Sequence, residues 1–84
     1  MEQEIIVEEK KLLSFGEQLV GIEFNPSNDD RVAKVKSMMA EVANIMKEAY
    51  EEERSPIKSL LFDHAVGEIV NAQMSVVKLI TYKQ

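Results

Sequence analysis

The residues of this chain best suited to chemistry form one short junction, Phe24-Asn25-Pro26-Ser27, followed by a basic helix. Pro26 cannot continue an incoming helix, and it disfavours helical dihedral angles at Asn25. Ser27 has the side chain of a good N-cap, so we expect a new helix to begin here. The junction therefore places an aromatic ring, a side-chain amide and a hydroxyl beside a positive helix N-terminus, with Lys36 on the turns that follow.

These groups could bind a small anionic ligand that contains an aromatic ring. Phe24 offers a ring surface, while the helix N-terminus and Lys36 offer positive charge. The same residues also have a purely structural interpretation, in which Phe24 packs the start of the helix and Ser27 only caps it. The local chemistry leaves both interpretations open.

The sequence contains no constellation that predicts catalysis. His64 is the sole histidine, and its neighbour Asp63 points to a different side of a helix, so the pair forms no dyad and we expect a surface or otherwise satisfied histidine. The glutamates near one helix end lack a histidine partner, which argues against a metal site; they are Glu48, Glu51, Glu52 and Glu53. The three glycines are too scattered for a phosphate-binding loop. We therefore expect no catalytic residue, no metal and no cofactor, and a protein that is not an enzyme.

Apolar spacing predicts an all-α fold with three helices. The first runs from about residue 4 to 21 and ends near Gly21, because glycine readily adopts the conformation of a helix C-terminus. The second runs from about 28 to 53 and carries an apolar seam with alternating spacings of three and four residues. The members of that seam are Val32, Val35, Met39, Val42, Met46 and Ala49.

The third helix, from about residue 56 to 82, follows after a short connection, which predicts a long antiparallel hairpin with the second helix. Ser55 can cap this helix, and Pro56 fits its first position. It carries two adjacent apolar stripes, Leu61, Ala65, Ile69, Ala72, Val76 and Leu79 on one and Phe62, Val66, Val70 and Val77 on the other. Two stripes need two partners, and the chain has little beyond the first helix to cover the second stripe. We therefore expect a homo-oligomer.

Composition and charge limit the remaining classes of protein. A chain of 84 residues forms one domain, 1–84, with a thin core, and 45% hydrophobic with 6% aromatic residues suits aliphatic helix packing. The absence of cysteine excludes a disulfide framework. A net charge of −5 argues against DNA or RNA polymers, whereas a small anion needs only a few local cations. With an acidic N-terminus and no long apolar run, we expect an intracellular protein that has no membrane segment.

Several short motifs carry a resemblance to a known family. They are Leu19-Val20-Gly21-Ile22-Glu23-Phe24-Asn25-Pro26-Ser27, then Val35-Lys36, then Ala72-Gln73-Met74-Ser75-Val76-Val77-Lys78 with Thr81. From about residue 15 to 82 the chain resembles the phage sponges that defeat CBASS defence by sequestering its cyclic-nucleotide signals. Those sponges share a helical-hairpin domain with sponges that act against Thoeris defence. Ser75 and Asn28 depart from the family pattern, in which tryptophan and glycine are common at these places.

The resemblance implies a non-catalytic homohexamer in the cytoplasm of the infected bacterial host. It implies that cyclic dinucleotides of the cGAMP type bind between subunits and are withheld from the host effector. In that family pattern Phe24 stacks on a base, Asn25 and Ser27 contact a base edge or sugar, and Lys36 pairs with a phosphate. The alternative is an oligomeric structural or adaptor protein with no nucleotide ligand, with which composition and periodicity agree equally well.

A second ligand site is also implied, because some relatives hold larger cyclic oligonucleotides on the last helix. Here it would form where symmetry-related copies of four polar residues converge on a cyclic trinucleotide. Those residues are Asn71, Gln73, Ser75 and Lys78. Relatives with that activity present an upstream arginine, whereas Lys78 is the sole cation nearby in this sequence. Because lysine makes a point contact where arginine makes a planar fork, we expect weak or no binding there, and a polar strip between helices is the alternative.

Overall fold

The computed structural model describes residues 12–83, which form three α-helices and their connections. Helix α1 comprises Phe15–Val20, α2 comprises Asp30–Glu52 and α3 comprises Pro56–Thr81. The described part of the chain contains no strand, so the predicted all-α class is confirmed. Within residues 12–83, no helix combines the length and the apolar character that a membrane crossing requires.

Helix α1 is short and capped at both ends. The predicted helix of residues 4–21 lies in part outside the described residues, and residues 12–14 are not helical. The Ser14 hydroxyl accepts a hydrogen bond from the Glu17 N–H, and the Glu17 carboxylate accepts one from the Ser14 N–H at 2.8 Å. This reciprocal capping box determines where α1 begins. Gly21 ends it in the left-handed conformation with φ 65°, as predicted.

The start of α2 differs from the prediction. Asp29 rather than Ser27 is the N-cap, because the Asp29 carboxylate accepts a hydrogen bond from the Arg31 N–H at 2.8 Å. The prediction of Ser27 as the cap is therefore wrong by two residues. The Ser27 hydroxyl instead accepts from the Asp29 N–H at 3.2 Å and stabilises the preceding turn. Asn28 lies between them with φ 57°, a conformation that asparagine adopts more readily than most residues.

The buried face of α2 is also rotated from the predicted seam. Its buried residues are Val32, Lys36, Ala40 and Ala43. Val32 belongs to the seam, but Val42 and Ala49 of that seam are exposed. The seam prediction is therefore wrong in part, because small residues and one lysine occupy the face that neighbouring helices cover.

A close crossing of α1 over α2 explains that rotation. A Cβ atom on Gly16 would lie only 1.9 Å from the Ala40 carbonyl oxygen, so the two backbones meet where glycine leaves room. The Asn44 side chain stabilises the crossing by two hydrogen bonds. Its Oδ1 accepts from the Gly16 N–H at 2.7 Å, and its Nδ2 donates to the Ser14 hydroxyl at 3.1 Å. The crossing brings the end of α1 and the loop after it onto the first half of α2.

Helix α3 packs on both other helices. Phe62 stacks on Tyr50 of α2 with ring centroids 4.9 Å apart, and its ring lies 5.9 Å from that of Phe15 in α1. The buried side-chain amide of Gln73 donates to the Val20 carbonyl oxygen at 3.2 Å. These contacts place the end of α1 and the loop that follows it against the second half of α3.

The start of α3 agrees with the sequence prediction, since the Ser55 hydroxyl accepts from the Lys58 N–H and Pro56 is in the first turn. Of the two predicted apolar stripes, Leu61 and Leu79 of the first are exposed, whereas the second, Phe62, Val66, Val70 and Val77, is half-buried within the chain. Five large apolar side chains of α3 are at least 60% exposed, namely Ile57, Leu60, Leu61, Met74 and Leu79.

Candidate functional site

An open groove of about 530 Å³ lies where the loop between α1 and α2 meets the start of α2 and the end of α3. Its volume falls within the range of about 300–1,000 Å³ that is usual for small-molecule sites. The loop contributes the whole junction singled out from the sequence, Phe24, Asn25, Pro26 and Ser27. Three separate segments of the chain thus meet at one concave surface.

The charge of the groove is opposite to that of the chain. The chain has a net charge of −5, with 15 acidic and 10 basic residues. Among the described residues that line the groove, the charged ones are Lys36 and Lys78, and none is an aspartate or glutamate. Apolar side chains such as Val32, Met74 and Val77 form much of the rest. The groove is therefore suited to a ligand that combines flat rings with negative charge.

Phe24 presents an unusually open aromatic ring to this groove. The residue is 69% exposed, and the Lys36 Nζ lies 5.4 Å from the ring centroid in a cation–π contact. Phe24 also lines a second cavity, of about 420 Å³, whose walls include Glu17 and Glu23. The ring therefore lies between a groove lined by lysines and a cavity lined by glutamates, and its exposed part offers a surface on which a flat ring can stack.

Asn25 and Ser27 are held by hydrogen bonds within the loop. The Ser27 hydroxyl donates to Asn25 Oδ1 at 2.7 Å, and Asn25 Nδ2 donates to the Asp29 carbonyl oxygen at 3.2 Å. An amide nitrogen carries two hydrogens, so the Asn25 amide can still donate once more. These bonds order the loop before any ligand binds, which lowers the entropy cost of binding.

The side chain of Lys36 is buried. It is only 5% exposed, and its ammonium donates to the carbonyl oxygens of Gly21, at 3.0 Å, and Phe24. These bonds tie the loop to α2, and one of the three ammonium hydrogens stays available. The role of Lys36 as a phosphate partner stays a prediction. The spacing of Lys36 from Val32 and Ala40, four residues each way, was the signal in the sequence for its burial.

The structure divides the four residues predicted for the second site. Gln73 and Lys78 line the groove beside Phe24, whereas Asn71 and Ser75 are exposed and lie outside its lining. Thr81, which the sequence analysis did not assign to a site, lines the groove as well. The groove-lining positions of α3 are 73, 74, 77, 78 and 81, and positions 71 and 75 continue the helix surface just beyond Lys78.

Arg31 stands near the loop but is engaged by Asp29. The guanidinium Nη2 lies 2.9 Å from Asp29 Oδ2, and Nε donates to Oδ1 at 3.2 Å. The hydrogen bonds from Arg31 hold the pKa of Asp29 below its usual range, and the same pairing raises the pKa of Arg31. The pair stabilises the helix start, and Lys36 and Lys78 are the positively charged residues of the groove lining itself.

The other titratable side chains offer no competing centre among the residues that the structure describes. His64 Nε2 lies 3.5 Å from Glu68 Oε2 on an exposed turn of α3. Within residues 12–83, no group of three or more histidine, cysteine, aspartate or glutamate side chains could hold a metal ion.

Comparisons with protein-family models, with curated proteins and with solved structures gave no match to this chain.

Proposed function

We propose that this protein binds cyclic dinucleotides of the cGAMP type in the groove and sequesters them unchanged. Its role would then be that of a phage sponge, which withholds the signal of CBASS defence in the cytoplasm of the infected bacterium. The observation that carries the proposal is the groove lining: an exposed aromatic ring and two lysines, with no acidic residue among the described lining residues of a chain with net charge −5. A cyclic dinucleotide presents flat bases and anionic phosphates to match that surface.

Each type of lining residue has a role in this proposal. Phe24 stacks on a base, since aromatic side chains stack on any nucleobase. Asn25 and Ser27 contact a base edge or sugar, and the loop bonds already hold them in place. The phosphates meet positive charge from the lysines of the groove.

Sequestration requires no chemical step. The described lining contains no histidine and no carboxylate that could act as a general base, which supports a role in binding. Incubation of a cyclic dinucleotide with the protein, followed by denaturation and chromatography, should recover the intact ligand. Recovery of linear products would contradict this part of the proposal.

We further propose that α2 and α3 form an antiparallel hairpin that assembles into a homohexamer. The support is apolar surface: Ile57, Leu60 and Leu61 are all more than 60% exposed in the single chain. Contiguous apolar surface of this kind marks contacts between proteins. Light scattering at micromolar concentration should show an oligomer, and Leu60→Asp should shift it toward smaller species while circular dichroism keeps its helical signal. A wild-type monomer would contradict the assembly.

The same exposed apolar residues favour one alternative, an oligomeric structural or adaptor protein that has no nucleotide ligand. Ligand binding separates the two possibilities. The test is a thermal-shift screen against cyclic dinucleotides, with linear dinucleotides of the same bases as the control. A ligand at 100 times its Kd that binds only the native state adds about 2.7 kcal/mol of stability.

Two variants test whether the thermal shift depends on the groove. Phe24→Ala should abolish most of the shift, because stacking contributes about 1–3 kcal/mol per base. Met38→Ala is the matched control, since Met38 is an exposed apolar residue of α2 outside the groove lining, and it should retain the shift. If no cyclic dinucleotide stabilises the wild-type protein, the adaptor alternative replaces the proposal.

A further inference from the structure

The two lysines of the groove are in opposite situations. Lys36 is 5% exposed and its ammonium already donates to the carbonyl oxygens of Gly21 and Phe24. Lys78 is exposed, and none of the ion pairs or side-chain hydrogen bonds among residues 12–83 involves its ammonium. Both line the same concave surface. The two positive charges are therefore unequal in their capacity to take a new anionic partner.

An anion binds most favourably to a cation that does not have to break an existing hydrogen bond or ion pair. A phosphate that bonds to Lys36 must approach an ammonium that two carbonyl oxygens hold, in a place that is 5% exposed. A phosphate that bonds to Lys78 displaces only water, and the charged side chain can move to meet it. The other polar side chains that α3 brings to the lining, Gln73 and Thr81, carry no charge, and each already donates to a carbonyl oxygen, of Val20 and of Val77 respectively.

The internal bonds of Lys36 give this residue another use. Its ammonium holds the carbonyl oxygen of Phe24 and lies 5.4 Å from the centroid of the Phe24 ring, so it constrains both the backbone and the side chain of that residue. Its bond to the Gly21 carbonyl oxygen fixes the beginning of the same loop. Ordering the ring before the ligand arrives lowers the entropy cost of stacking.

We infer that Lys78 is the phosphate-contacting cation of the groove and that Lys36 is a positioning residue that holds Phe24 in its stacking orientation. The inference rests on the proposed function, because it assigns roles within the same binding site. It also moves Lys78 from a separate site on α3 into the site of Phe24.

The test is calorimetry of 3′,3′-cGAMP binding to the full-length protein at low and high salt, together with the melting temperature of each ligand-free variant. Lys78→Met removes the charge and keeps an apolar side chain of similar length. We expect a loss of affinity of about tenfold or more, loss of most of the salt dependence, and an unchanged melting temperature. Lys78→Arg should restore both affinity and salt dependence.

Lys36→Met should instead lower the melting temperature of the ligand-free protein and weaken binding, while the wild-type salt dependence persists. Lys36→Gln provides a second variant in case Lys36→Met does not fold, because glutamine keeps a hydrogen-bond donor and removes the charge. It should also bind with the wild-type salt dependence. Lys34→Met is the matched control, since it removes one exposed positive charge of α2 outside the groove lining and should change affinity less than twofold.

The outcomes separate the inference from the function on which it rests. Wild-type affinity in Lys78→Met, in a protein that binds the ligand, overturns the inference and leaves the proposed function intact. Loss of salt dependence in Lys36→Gln, with its retention in Lys78→Met, reverses the roles and also overturns it. If the wild-type protein gives no heat, the proposed function fails and the role of Lys78 fails with it. An unchanged ligand-free melting temperature in Lys36→Met then overturns the positioning role as well.

Discussion

The turn that joins α2 to α3 and the groove at the other end of α3 contain similar residue types in different states. Near the turn, Phe62 stacks on Tyr50 at 4.9 Å between centroids, and Lys58 Nζ donates to the Ala49 carbonyl oxygen at 2.6 Å. At the groove, Phe24 is 69% exposed and Lys78 has no ion-pair partner within residues 12–83. Each end has aromatic rings and lysines, but only the groove end leaves a ring largely exposed and a lysine, Lys78, without an ion-pair partner within residues 12–83, although Lys36 there is buried and hydrogen-bonded.

This difference teaches how stability and binding can be separated in a small helical chain. Rings and cations that find partners inside the chain contribute to the free energy of folding. Rings and cations that stay exposed contribute less to folding and remain available to a ligand. Substitutions at the two ends should therefore affect different measurements.

The largest expected effect is on stability at the turn. Phe62→Ala removes a ring that packs against Tyr50 and Phe15, and a buried phenylalanine truncation costs about 3–5 kcal/mol. Because Phe62 is half-buried, we expect a loss near the lower end, measured by urea denaturation at fixed protein concentration. Phe24→Ala should change stability by no more than about 0.5 kcal/mol. Equal losses at the two positions would erase the contrast between the two ends.

A smaller effect is expected from the glycine that begins the loop of the groove. Gly21 has φ 65°, and a side chain in that conformation costs about 1–2 kcal/mol. Gly21→Ala should lower stability by that amount and weaken ligand binding, because the loop starts there. Gly67→Ala is the control: an added Cβ meets nothing within 4 Å, and in a helix alanine should stabilise by about 0.5–1 kcal/mol. Stabilisation by both substitutions would show that the loop does not need this conformation.

A third prediction compares Lys58, near the turn between α2 and α3, with Lys78 at the groove. Lys58→Met removes a hydrogen bond to a carbonyl oxygen near the end of α2, and such a bond contributes about 0.5–1.5 kcal/mol. We expect a loss of about 0.5 kcal/mol in chemical denaturation, with ligand affinity unchanged. Lys78→Met should show the reverse pattern, with unchanged stability and weaker binding. Calorimetry and chemical denaturation of both variants measure the two effects. Weaker binding in Lys58→Met, or lower stability in Lys78→Met, would contradict the prediction.

The smallest effect concerns the two helix caps as the pH falls. Arg31 lowers the pKa of Asp29 in the folded state below its ordinary value of 3.8. A lowered folded pKa means that this contribution is present above pH 3.8 and is lost as the pH falls through the folded value. Asp29→Asn should therefore remove a small part of the acid dependence of the melting temperature. Ser55→Ala, at the uncharged cap of α3, should lower stability equally at pH 7 and at a pH well below 3.8. An equal pH profile in both variants over that whole range would exclude the role of Asp29.

The sequence by itself determined the features that depend on residues close together in the chain. Helical periodicity predicted the all-α class, Gly21 marked the end of α1, and Ser55 marked the start of α3. The junction from Phe24 to Ser27 was identified as an unusual cluster, and the whole of it lines the groove. Caps, turns and periodicity act over a few residues, so their signals can be read locally.

Only the tertiary structure decided which faces are covered and which distant residues share the groove. The crossing of Gly16 over Ala40 turned Lys36 inward and left Val42 exposed. Packing of α3 then brought Gln73 and Lys78 to the junction at Phe24, although about 50 residues of chain separate them. The spacing of apolar residues predicts that a helix has an apolar face. Which helix covers that face depends on the packing of helices that are far apart in the sequence.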